Sequence, residues 1–301
     1  MADIVFDARV AVVTGAGGGL GRTYALELAR RGARVVVNDL GGSVEGSGAG
    51  AAPADLAVSE IGEAGGEAVA SYDSVATPAG GAAIVRTALD AFGTLDILIN
   101  NAGILRDRSF PNMTSDEVDA VLDVHLRGAF HVTQPAFAVM KEKGYGRIVF
   151  TSSPSGIFGN FGQSNYGAAK AGVIGLSNTL AIEGVKYGIR SNVIAPIART
   201  RMTEQLLGPL AEMVAPELVT PLVVYLCSEE CELTHEVFSV GGGRFARVFT
   251  GVNPGWFAGH ATAPTAEEVR DHMDEIRDIS SFEVPTDNSG ELNLLLRALQ
   301  G

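Results

Sequence analysis

Apolar residues recur along the chain in two alternating rhythms. Short β-branched runs read as strands: Val10–Thr14 (VAVVT), Arg34–Asp39 (RVVVND), Glu67–Tyr72, Leu95–Asn100 (LDILIN), Arg147–Ser152 (RIVFTS), Ile189–Ala195 (IRSNVIA) and Glu236–Val240. Between them lie segments of helical spacing: Leu20–Arg31, Ala54–Ala64, Gly81–Phe92, Ser115–Glu142 and Asn165–Lys186. Near-continuous apolar strands separated by helices predict a parallel sheet buried on both faces. Right-handed crossovers then make it doubly wound. The expectation is an α/β, Rossmann-type domain with seven strands over residues 1–260. Residues 41–53 (GGSVEGSGAGAAP) read as a flexible loop after the second strand, and neither an internal repeat nor a domain linker is visible.

The pattern changes near the C-terminus. Thr265 and Glu268 have the spacing of a helix capping box. Val269, Met273 and Ile276 follow on one helical face, and Leu292–Leu299 is a short apolar segment. Residues 261–301 are read as a helical extension packing on the body or on a partner subunit.

Composition narrows the function classes. Of 301 residues 46% are hydrophobic and 19% charged, which supports a full core and excludes global disorder. The 38 glycines follow no Gly-X-Y repeat, so they belong to turns rather than to a collagen helix. The net charge, 22 − 35 = −13, makes nucleic acid and anionic membranes poor partners. An anionic cofactor would need backbone amides or local arginines. No apolar run approaches the ~20 residues of a membrane span. MADIVFDARV lacks a signal-peptide pattern, ALQG is not a peroxisomal S-K-L address, and two cysteines make no disulfide framework. These features predict a reducing, cytoplasmic setting.

Three groups of residues carry candidate chemistry. The first is the turn Thr14-Gly15-Ala16-Gly17-Gly18-Gly19-Leu20-Gly21, between the first strand and a helix. Glycines there let backbone amides approach a pyrophosphate at the helix start. Asp39 ends the second strand, where an acid accepts ribose hydroxyls and repels a 2′-phosphate, favouring NAD over NADP. Arg22 and Arg34 are the residues that could offset it. Asp73 ends the third strand, where adenine would lie. The second group is Tyr166 and Lys170, four apart on one helical face. A nearby ammonium lowers a phenol pKa from about 10 and creates a general base. Ser153 lies upstream at a strand end, where its hydroxyl could bond a substrate carbonyl. The third group is Arg106, Arg108, Arg199 and Arg201, read either as contacts for a nucleotide phosphate of CoA or as surface ion pairs. The five histidines show no metal-ligand spacing, His272 reads as solvated, and Cys227 and Cys231 read as unligated thiols.

TGAGGGLG, Asn100-Asn101-Ala102-Gly103, Ser153 and Tyr166-x-x-x-Lys170 together resemble the short-chain dehydrogenase/reductase family across residues 8–243. That resemblance implies catalysis by Ser153, Tyr166 and Lys170. Ser153 would position the substrate oxygen, Tyr166 move the proton, and Lys170 tune Tyr166 while binding the nicotinamide ribose. It implies NAD held by Gly15, Gly17, Gly19, Leu20 and Gly21, with Asp39, Asp73 and Ser74 on the adenosine side. Asn101, Ala102 and Gly103 would support the cofactor. A narrower resemblance is carried by VVVNDLGG (35–42), YDSV (72–75), NNAGILRDRSF (100–110), VHLRGAF (124–130), YGRIVFTSSPSGIFGNFGQSNY (145–166) and LAIEG (180–184). These are similar to the dehydrogenase unit of type 2 peroxisomal multifunctional enzymes. That subgroup is described as (3R)-hydroxyacyl-CoA dehydrogenases and also as acting on 17β-hydroxysteroids. It implies an acyl-CoA substrate, a place in lipid breakdown, and a homodimer or homotetramer. His125 stands where many members of the wider family place an Asn that serves a water relay. Besides the thioester dehydrogenase, a hydroxysteroid dehydrogenase or other ketoreductase and a non-catalytic dinucleotide-binding scaffold stay open. The intact Ser153, Tyr166 and Lys170 weigh against the scaffold.

Overall fold

The structure is a computed structural model that describes residues 3–204 and 208–300. Its elements run β1 (Val10–Thr14), α1 (Gly19–Arg30), β2 (Arg34–Asn38), α2 (Ala52–Glu63), β3 (Glu67–Ser71), α3 (Pro78–Phe92) and β4 (Ile97–Asn100). Next come α4 (Ser115–Leu122), a widened π-type turn (Asp123–Arg127), α5 (Gly128–Lys143), β5 (Gly146–Thr151), α6 (Pro154–Phe158) and α7 (Ser164–Gly184). β6 (Ile189–Pro196), α8 (Thr220–Cys227), β7 (Val237–Gly241) and β8 (Arg244–Val248) complete the sheet region.

The sheet has eight strands in the order β3-β2-β1-β4-β5-β6-β7-β8. β1 pairs parallel with β2 on one side (Val12 opposite Val36) and with β4 on the other (Val12 opposite Leu98). The parallel pairing continues from β4 through to β7. Alternation explains why the strands read as unbroken apolar runs. Ala11, Val13, Val35, Val37, Ile97 and Ile99 join one core cluster, with Tyr24, Leu28 and Ile61 from α1 and α2. Val10, Val12, Val36, Leu98, Ile148 and Phe150 point the other way, against α3, α5 and α7. Both faces are therefore buried, as a parallel sheet requires.

The eighth strand is an addition to the seven expected. β7 turns into β8 through Gly242 and Gly243, whose φ values of +57° and +78° are those of a two-residue hairpin turn. A turn that short joins only antiparallel neighbours. The long helical stretch expected over 115–142 is divided by the π-type turn at Asp123–Arg127. Among the described residues, no helix is long and apolar enough to cross a membrane.

The chain divides into two compact units, residues 1–247 and 248–301. Within the second, Thr265 and Glu268 form the expected capping box at the start of α9 (Ala266–Asp271). The helical face expected through Ile276 breaks at His272 into a separate turn, α10 (Met273–Ile276). His272, expected to be solvated, is half-buried and stacks on Trp256 at 4.0 Å. α11 (Asn288–Gln300) contains the short apolar segment.

Candidate functional site

β2 and β4 flank β1, so the crossovers from β1 and β4 leave on opposite faces of the sheet. At their carboxyl ends this opens a cleft, the place where doubly wound sheets bind ligands. Its volume is about 510 Å³. Gly15 and Gly19, at φ +64° and +53°, make the turn from β1 into α1. A Cβ on Gly21 would lie 2.3 Å from the Gly15 carbonyl oxygen, so only glycine lets the helix start this close to the strand. Helix α1 begins after Gly18 with no side-chain cap and no acidic residue in its first turn.

Asp39 lines the cleft and organises its rim. Its carboxylate accepts the Gly17 amide at 2.9 Å and the Gly41 amide at 2.7 Å, tying the glycine turn to the loop after β2. Asp73 and Ser74 line the same end. The Asn38 amide donates to the Asp73 carbonyl at 2.9 Å, and the Ser74 hydroxyl accepts the Ala76 amide at 3.2 Å. Asn101 locks β4 to the turn: its side-chain amide donates to the carbonyls of Thr14 at 3.0 Å and Gly15 at 3.1 Å. Thr14 Oγ1 accepts the Asn101 and Ala102 amides, each at 3.0 Å. These contacts suit a dinucleotide. Gly18 faces the open cleft, and a side chain there would occupy the space above the start of α1.

Ser153, Tyr166 and Lys170 converge on the inner part of the cleft. Ser153 follows β5 and caps α6, accepting the Ser155 amide at 3.2 Å. Asn165 fixes the start of α7. Its side chain donates to the Arg106 and Glu117 carbonyls, each at 3.0 Å, and accepts the Tyr166 amide at 2.7 Å. Burial pushes the Tyr166 hydroxyl up to about 12; the neighbouring Ser153 hydroxyl pulls the other way, and the Asp107 charge adds to the rise. Burial brings the Lys170 ammonium down to about 7. This differs from the expectation that the ammonium lowers the phenol. Lys170 Nζ lies 5.6 Å from the Tyr166 ring centroid and spends a proton on the Thr151 carbonyl at 2.6 Å. Desolvation therefore outweighs charge at both groups.

His125 sits in the π-type turn, fully buried, with its ring edge-on to Tyr166 at 5.1 Å between centroids. Its Nε2 lies 2.8 Å from the Ile104 carbonyl and 3.0 Å from the Ile104 amide. Burial, reinforced by the Lys170 charge, holds its pKa well below the usual histidine range. His125 Nδ1 and Thr151 Oγ1 are buried without partners among the described residues. Both residues, with Lys170, border a second, far smaller void.

Of the four arginines, only Arg201 lines the cleft. Arg108 pairs with Glu117 at 2.7 Å, and Arg106 donates to the Glu45 carbonyl at 3.1 Å, holding the loop after β2. Arg199 is exposed beside the cleft-lining Ala198 and Thr200. Cys227 and Cys231 are free and buried, and among the described residues no group of His, Cys, Asp and Glu could hold a metal. The sequence reading missed Gln163, a buried cleft residue that donates to Asp107 at 2.6 Å and accepts from the Ser155 hydroxyl at 2.8 Å. It also missed the roles of Thr14 and Asn165. Their adjacency to the glycine turn and to Tyr166 was the available signal.

Residues 9–208 match the short chain dehydrogenase family. A protein classed as a short-chain type dehydrogenase/reductase (Rv0148) in Mycobacterium tuberculosis is 54% identical over 277 residues, covering 92% of this chain and 96% of that one. Hydroxyacyl-CoA dehydrogenase ChsB1 of the same organism is 42% identical over 254 residues, covering 78% and 77%. The solved structure of full-length peroxisomal multifunctional enzyme type 2 from Drosophila melanogaster superposes with a TM-score of 0.84 at 41% identity. It covers 99% of this chain and 50% of that one. The chain spans half or less of the type 2 multifunctional enzymes of fly and mouse.

Proposed function

This chain belongs to the short chain dehydrogenase family, and from that premise we propose that it oxidises (3R)-3-hydroxyacyl-CoA to 3-oxoacyl-CoA with NAD. The observation that carries the reading is the convergence of Ser153, Tyr166 and Lys170 on the cleft that begins at the glycine turn. The names of its relatives, a hydroxyacyl-CoA dehydrogenase and a peroxisomal multifunctional enzyme, support the substrate class. The cofactor, when bound, supplies the hydride acceptor. Ser153 holds the substrate oxygen, and Tyr166 Oη takes the hydroxyl proton during oxidation and returns it in reduction. Lys170, one helical turn on, binds the ribose beside that phenol.

Asp39 supports NAD over NADP, because a 2′-phosphate would meet its carboxylate. The residues that could have offset it are engaged elsewhere: Arg22 pairs with Glu60, and Arg34 lies over the Phe92 ring at 5.3 Å. The proposed cofactor set is Gly15, Gly17, Gly19, Leu20 and Gly21 beneath the diphosphate, Asp39, Asp73 and Ser74 around the adenosine, and Asn101, Ala102 and Gly103 behind. Arg106, Arg108 and Arg199 are proposed for the CoA phosphates. We take the active form to be a homodimer or homotetramer.

The test is a substrate panel in which nicotinamide reduction is followed with NAD and with NADP. Turnover with NAD on hydroxyacyl-CoA, and little on the free hydroxy acid or on hydroxysteroids, is the expected outcome. Comparable rates on a hydroxysteroid would overturn the thioester assignment, and no turnover on any alcohol would favour a binding scaffold.

A further inference from the structure

The turn after β6 is pinned by its own threonines. Thr203 Oγ1 donates to the Ala198 carbonyl at 2.6 Å and accepts the Thr200 amide at 2.9 Å. The Met202 amide donates to Thr200 Oγ1 at 3.2 Å. The pinned turn lies directly over the glycine turn that starts α1. Thr200 Cγ2 is 3.6 Å from where a Cβ on Gly19 would stand, and Arg201 Nη2 is 3.9 Å from the same position on Gly18. No other non-neighbouring heavy atom comes within 4 Å of that Gly18 position. The guanidinium and the helix start therefore face each other across cleft space.

Both sides of that space present donors. The first-turn amides of a helix have no intrahelical acceptor, and α1 has neither a side-chain cap nor an acid to serve them. Arg201 takes part in none of the ion pairs among the described residues. Arg108, by contrast, already has Glu117, and Arg106 holds the loop after β2. On a chain of net charge −13, an unpaired guanidinium beside the start of a helix is a local attraction for an anion.

We propose that Arg201 clamps the cofactor's diphosphate against the start of α1, and so belongs to the dinucleotide site rather than to the CoA handle. The assignment rests on the reading of this cleft as a dinucleotide site. It divides the positive charge at the site by task. Arg201 serves the cofactor, and the arginines outside the cleft lining are left for the thioester. It also makes the turn after β6 a part of cofactor binding.

Calorimetric titration of NADH, ADP-ribose and adenosine into wild-type protein, R201A and R201K tests this without any turnover. R201A should bind NADH and ADP-ribose about tenfold more weakly, the scale of one lost charge-assisted contact. Adenosine, which lacks the diphosphate, should bind both proteins alike. R201K should recover most of the loss, and the salt dependence of ADP-ribose binding should be shallower in R201A. Equal affinity of wild-type and R201A for ADP-ribose would overturn the assignment while leaving the dinucleotide reading intact. An equal loss for adenosine would also overturn it, since the cleft as a whole would then be disturbed. Wild-type protein that binds neither NADH nor ADP-ribose would overturn both readings.

Discussion

Replacing Tyr166 by Phe removes one oxygen and leaves the packing. The ring sits edge-on to His125 at 5.1 Å, and nothing in that contact involves the hydroxyl. The fold should therefore lose no more than about 1 kcal/mol, the scale of a single neutral hydrogen bond. The chemistry should suffer far more. General acid–base catalysis by a positioned side chain is worth roughly 100- to 10,000-fold, and kcat should fall by at least the lower figure. The pH profile gives a second handle. Burial raises Tyr166 to about 12, so at pH 7 the phenolate is a very small minority form. Oxidation needs that base form. Wild-type kcat/KM for oxidation should climb with pH by up to about tenfold per unit from neutrality upward, and the residual rate of the Phe variant should not. Steady-state oxidation across a pH series, with calorimetric NAD binding as a control, measures both. A variant that keeps more than about a tenth of wild-type turnover, with NAD binding unchanged, refutes the role given to Tyr166.

Asp39→Ala should weaken NAD binding and narrow the preference over NADP, because a ribose acceptor and a repulsive charge vanish together. Wild-type protein that prefers NADP in a binding titration would reverse the reading of Asp39. Lys170 offers a stability test: its folded value of about 7 lies below the ordinary 10.5, so between them the unfolded chain binds the proton more tightly. Stability from this site therefore rises with pH through that window and falls away toward acid. Between roughly pH 7 and 10, the melting temperature of wild type should gain on that of Lys170→Met, and a constant difference would contradict the burial of the ammonium. Gly103→Ala places a Cβ 2.4 Å from Cε1 of His125, whose ring packs edge-on to Tyr166. It should cost about 1–3 kcal/mol in chemical unfolding and lower turnover as well, and a neutral result would show that His125 has room to move.

The sheet was legible because its central strands, β1, β2, β4, β5 and β6, are buried on both faces and have an apolar side chain for each, and the half-buried β3 and β7 keep short apolar runs. β8 was not, since Arg244 and Arg247 break the run and an exposed edge strand needs no apolar pattern. Its signal was the Gly242-Gly243 pair, which favours a hairpin. The glycine turn, Asp39, Ser153, Tyr166 and Lys170 were all readable as residues, and all lie on the cleft. Their electrostatics were not readable. Sequence spacing puts Lys170 near Tyr166, but only the folded chain shows Lys170 turned to the Thr151 carbonyl and both groups desolvated. The π-type turn that presents His125 left no trace in composition either. Sorting the arginines required knowing which had found a carboxylate or a carbonyl, and which had not.

The central claim is tested most directly by offering the purified protein the two enantiomers of one 3-hydroxyacyl-CoA with NAD and following nicotinamide reduction. Cofactor on one side of the carbinol, with Ser153 and Tyr166 fixing its hydroxyl on the other, leaves a single face for hydride transfer. Which face that is comes from the resemblance to the type 2 multifunctional enzymes: the R thioester should be oxidised and the S thioester left essentially untouched. Equal rates on the two, or preference for S, would contradict the account.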